Sequence, residues 1–171
     1  MKGFVNGIGK LAEIVGGLIQ AVTVVITMFL LTLSALQVFL RYFNLPQMGV
    51  EELMQFPVIW MYMLGGACAS FTRTHIECGI LDSFIKNRRV LDILAIVKTV
   101  LCLIICAITI KWGYNFLLYS LKTNKISVIL GLPWVVANAA IFVGLVFMEF
   151  FTFVELIQRL YAILTPKEAK A

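Results

Sequence analysis

Apolar residues in this chain form long uncharged runs separated by short polar intervals. Ile14 to Leu40 carries no charge over 27 residues, where about 20 suffice to cross a hydrocarbon core. The run far exceeds the roughly 7–15 apolar residues of a secretory signal peptide, so the faintly site-like Leu33-Ser34-Ala35 is read as part of a span. Leu53 to Thr72 gives 20 uncharged residues between Glu51-Glu52 and Arg73, with acids at the helix start and a base at its end, as the helix dipole favours. A tight loop containing Pro46 and Gly49 leads into it. A third span is expected at about 91–121, and a fourth opens at Pro133, a residue suited to a first helical turn, and runs to about 157. The predicted fold class is an all-α integral membrane protein, one domain over 1–171 with four spans at about 14–40, 53–72, 91–121 and 133–157.

Two further stretches are amphipathic and predict helices lying along the membrane surface. In 4–13, Phe4, Ile8 and Leu11 share one side while Asn6, Lys10 and Glu13 share the other. In 75–89, Ile76, Ile80 and Phe84 line one flank with Leu81 and Ile85, while Asp82, Lys86 and Arg89 line the opposite one.

Composition agrees with this pattern: 61% of the 171 residues are hydrophobic and 13% charged, against roughly a quarter charged in soluble domains. The net charge of +5 is spread along the chain without aromatic interleaving, which argues against a nucleic-acid partner. Its distribution carries topology instead. With both termini cytoplasmic, the inner segments hold Lys2, Lys10, Arg73, Lys86, Arg88, Arg89, Arg159, Lys167 and Lys170, and the outer ones only Arg41, Lys122 and Lys125. That bias favours ends inside.

Charged residues within spans are functional candidates by default. Lys111 lies about 20 Å beyond Lys98 and Glu149 about 24 Å beyond Pro133 at 1.5 Å per residue. The two helices run oppositely, so Lys111 approaches the outer interface and Glu149 the inner one. Lys98 is therefore the expected partner of Glu149. No acid or base is forced to the midplane, where carriers bind substrate and ions. Small residues four apart, Gly65 and Ala69, Gly66 and Ser70, Ala140 and Gly144, allow close helix approach in lipid, either within the chain or against a partner subunit.

No HExxH, Walker A, GxSxG or paired-carboxylate arrangement is present, which argues against an enzyme. The single histidine, His75, leaves no pair for haem ligation, and the four cysteines contain no CxxC, so neither a cofactor nor a metal is expected. The Trp and Tyr residues fall mostly near span ends, at headgroup level, with Trp60 the exception inside its span.

The order of features resembles a known family. The first span ends at Arg41-Tyr42; a short loop reaches Glu51-Glu52; Trp60, Gly65-Gly66, Arg73, His75-Ile76 and Asp82 follow; Gly131-Leu132-Pro133-Trp134 opens the last span. This resembles the small membrane subunit of tripartite ATP-independent periplasmic (TRAP) transporters, the DctQ type, although Gly79 stands where an acidic residue is expected after the histidine. The resemblance implies a bacterial inner-membrane subunit paired with a large multi-span permease and a periplasmic substrate-binding protein. It also implies sodium-coupled elevator import of an organic acid such as sialic acid or a C4-dicarboxylate, with the small subunit bracing the scaffold. On this reading Trp60, Gly65, Gly66, Ala69, Ala140 and Gly144 are candidate subunit-interface residues. Arg41, Glu52, Arg73, His75, Asp82, Lys98 and Glu149 are candidate structural polar residues. The alternatives are a stand-alone oligomeric four-helix carrier or channel and the membrane anchor of a redox enzyme.

Overall fold

A computed structural model describes residues 2–46, 49–73 and 88–164. They form four helices: α1, Lys2–Tyr42, 41 residues; α2, Val50–Thr72, 23 residues; α3, Arg88–Thr123, 36 residues; and α4, Val135–Leu164, 30 residues. All four are long and apolar enough to cross a membrane.

The boundaries differ from expectation in instructive ways. Residues 4–13, expected as a separate surface helix, are continuous with the first span. No proline interrupts 2–42, and glycines alone weaken a helix without breaking its hydrogen-bond ladder. At 1.5 Å per residue α1 is about 60 Å long, about twice the hydrocarbon thickness, so it is longer than a single crossing requires. The expected surface segment 75–89, with His75 and Asp82, lies outside the described residues apart from Arg88 and Arg89, which open α3. Pro57 sits inside α2 without dividing it. The fourth helix begins at Val135, two residues after Pro133, because Pro133 is held in an antiparallel bridge with Ile126.

Helix ends follow their capping chemistry. After α1, the Leu45 N–H donates to Leu40 O at 3.0 Å and the Asn44 N–H to Arg41 O at 3.2 Å, a Schellman motif with Asn44 at φ 52°. Asn124 closes α3 in the same left-handed region, φ 43°. Arg73 does so after α2, φ 55°, its N–H donating to Ala69 O.

α2 and α4 form the central pair, α1 packs chiefly on α2 with a lesser contact to α4, and α3 packs chiefly on α4. The core contains Ala12 and Ile19 from α1, Leu64 and Ala67 from α2, and Phe151 and Val154 from α4. The arrangement is thus a three-helix core with α3 as a flank. Leu101, Ile104, Ile105 and Trp112 on α3, and Ile14, Val25 and Val38 on α1, remain exposed, as helices facing lipid or a partner require.

Candidate functional site

Two polar clusters terminate the layer. At the end where α1 and α3 finish, the α3–α4 connection folds into a small hairpin. The Ser127 N–H donates to Leu132 O at 2.8 Å and the Trp134 N–H to Lys125 O at 3.0 Å, with Gly131 at φ 66° supplying the turn. Glu52 in the first turn of α2 reaches this hairpin. Its carboxylate accepts from the backbone N–H groups of Val128, Ile129 and Leu130 at 2.9, 3.0 and 3.2 Å. Charge-assisted bonds of this kind are stronger than neutral ones, so one side chain fixes the hairpin to α2. Trp134 stacks on buried Phe56, centroids 5.3 Å apart, at the hairpin base. Glu51 alongside accepts from Gln37 Nε2 on α1 at 3.0 Å, tying α1 into the same end. Arg41, expected among the polar anchors, lies in the last turn of α1, a position the helix dipole favours for a cation.

At the opposite end Arg73 joins α2 to α4. Its guanidinium donates to Gln158 Oε1 and lies 3.9 Å from Glu155 Oε1, which also accepts from Arg159 Nη2 at 2.6 Å. A cleft of about 270 Å³ beside this cluster is lined by Gly9 and Glu13 of α1 together with Ser70, Arg73 and Glu155. Arg73 was expected here from sequence; its partners Glu155 and Gln158 were not.

Between the ends, Glu149 of α4 meets the Cys106 thiol of α3, and its Oε2 is buried without a hydrogen-bond partner. This corrects the expected Lys98 pairing. Lys98 is eight residues before Cys106 on α3, about 12 Å lower along the helix, out of reach of the level at which α4 presents Glu149.

The expected subunit-interface residues divide. Gly66, Ala140 and Gly144 are packed inside the chain, the first of the two roles their spacing allowed. A Cβ on Gly66 would strike Met148 of α4; one on Gly144 would lie 2.6 Å from Met63 Cβ of α2; Ala140 is fully buried. Trp60 is half-buried against the core and donates its indole N–H to Val136 O on α4 at 3.1 Å. Gly65 is different. A Cβ there meets nothing within 4 Å, and Ala69, one turn on, is half-buried. Gly16 of α1 was not singled out, yet a Cβ there would lie 2.7 Å from the Phe71 ring of α2. Its signal was present in the sequence, because Ala12 and Gly16 are small residues four apart on α1.

These features define a small multi-pass helical membrane protein whose polar groups fasten helix ends and whose apolar flanks lie open. The family of the DctQ component of tripartite ATP-independent periplasmic transporters matches residues 28–162, and the chain belongs to that family. No curated protein matches it. It is therefore the small membrane component of a TRAP transporter, belonging to a transporter family and not an enzyme family, and such components work with a large permease and a substrate-binding protein.

Proposed function

We propose that this chain is the fixed brace of its transporter, holding the scaffold of a sodium-coupled elevator permease that imports an organic acid, such as sialic acid or a C4-dicarboxylate, delivered by a periplasmic binding protein. An elevator moves one domain across the bilayer, and that displacement is productive only against a frame that stays in place. The observation that carries the reading is the open face of α2 at Gly65, where the central helix has room for a closely approaching helix although its other glycine, Gly66, is filled by Met148. The end clusters support the same role, because Glu52 and Arg73 each fasten α2 to the α4 side of the layer. The lysine and arginine distribution supports an inner-membrane orientation with the Arg73 end and both termini cytoplasmic and the Glu52 end periplasmic.

Co-expression with the large permease tests the brace. Gly65→Leu should reduce the amount of permease recovered with this chain, and Gly65→Ala should leave it near the wild-type level. Equal recovery with Gly65→Leu would remove the α2 face from the interface.

A further inference from the structure

The ends of α3 and α4, with the hairpin between them, enclose a cleft of about 300 Å³. That is at the lower limit of small-ligand sites, roughly 300–1,000 Å³, and suits a head group rather than a whole amphiphile. Its walls divide by chemistry. Phe116, Tyr119 and Trp134 supply aromatic surface; Lys125 supplies a cation; Ser120 and Asn138 supply neutral polar atoms. Asn138 Nδ2 donates to Ser120 Oγ at 2.8 Å, which fixes both side chains and leaves the serine O–H as a donor. Ser120 is buried, whereas Lys125 is exposed at the rim.

We propose that this cleft binds the phosphate-bearing head group of one phospholipid from the leaflet at the Glu52 end. The phosphate sits against the Lys125 ammonium, within reach of the Ser120 hydroxyl. The glycerol and first acyl carbons lie on Phe116, Tyr119 and Trp134.

Three observations select a lipid. The cleft lies at the ends of two membrane-spanning helices, at the level where Tyr and Trp rings mark the headgroup region. Its single lining cation is complementary to one phosphate, while no lining residue carries negative charge. The hairpin tip beside it is apolar and uncovered, with Ile126 63% and Val128 96% exposed, which suits a surface resting among acyl chains and headgroups. Glu52 acts here as a positioning residue, since its hold on Val128, Ile129 and Leu130 keeps the Lys125-bearing hairpin over the cleft. The site is independent of the bracing role, because it needs only this chain and a bilayer.

Native mass spectrometry of the full chain released from phosphatidylglycerol–phosphatidylethanolamine nanodiscs tests the site, with a parallel sample in detergent containing inorganic phosphate alone. Wild type should retain one phospholipid. Lys125→Glu should lower that occupancy about tenfold, the scale of one lost charge-assisted contact. Lys125→Arg should keep it, and so should Lys122→Glu, which alters a nearby lysine that does not line the cleft. Four results would overturn the proposal: no retained lipid, equal retention in Lys125→Glu, equal loss in Lys122→Glu, or a phosphate adduct that excludes lipid. Circular dichroism of each variant reads helix content, and the exposed position of Lys125 makes unchanged helicity the expected result.

Discussion

Three neighbouring glycines offer a graded test of how the central helix pair is held. A methyl at Gly144 would place its Cβ 2.6 Å from Met63 Cβ and 3.1 Å from the Met63 carbonyl carbon and oxygen. Carbon atoms pack best at about 3.5–4.0 Å, so Gly144→Ala forces α2 and α4 apart by about 1 Å, and backbone cannot swing aside. Overpacking of this kind costs about 1–3 kcal/mol. Alanine recovers up to about 1 kcal/mol of helix propensity. The expected net loss is about 1–2 kcal/mol, roughly a five- to thirtyfold fall in the folded-to-unfolded ratio. Gly66→Ala meets only the thioether end of Met148, which rotates away, so its stability should stay close to wild type. Gly65→Ala meets nothing and should equal or slightly exceed wild type. Reversible unfolding of the purified full chain by sodium dodecyl sulfate in mixed micelles, followed by circular dichroism, ranks the three variants. A Gly144→Ala protein as stable as Gly65→Ala would refute the close α2–α4 contact.

The Glu52 hook predicts that Glu52→Ala accelerates amide exchange at Val128, Ile129 and Leu130 by about tenfold, with Glu52→Gln falling between, since an amide oxygen accepts but carries no charge; hydrogen exchange with mass spectrometry reads this directly, and unchanged protection would sink it. The orientation predicts that Lys122→Cys, in a chain whose four native cysteines are replaced, is labelled in intact cells by a membrane-impermeant maleimide, whereas Arg73→Cys in the same background is labelled only after the membrane is opened. The reverse pattern would invert the topology.

The spans were legible because an uncharged run longer than a bilayer has few other homes, and Glu52 and Arg73 stood out as charges at span boundaries. Their partners did not. Glu52 binds backbone N–H groups 76 to 78 residues away, and such groups leave no mark in a sequence. Gln158 is 85 residues from Arg73, beyond any local periodicity. The continuity of α1 was not legible for a related reason. Amphipathicity reports which faces differ in polarity, and it is silent on whether a helix breaks, which here depends on the absence of proline between Lys2 and Tyr42.

The choice of neighbours also has a physical cause. In lipid, apolar side chains gain no hydrophobic stabilisation from burial against one another, so helices associate where backbones approach closely. Each well-packed seam carries a glycine set against a large side chain: Gly16 on Phe71 between α1 and α2, Gly144 on Met63 and Gly66 on Met148 between α2 and α4, and Gly113 on Leu145 between α3 and α4. No glycine in the described residues joins α1 to α3, and those two helices are not among the well-packed pairs. Among the described residues no glycine seam draws α1 and α3 together, and the two flanks stay apart. That openness supports the proposed bracing role, since a set of helices that does not close on itself keeps long apolar faces available to a larger neighbour.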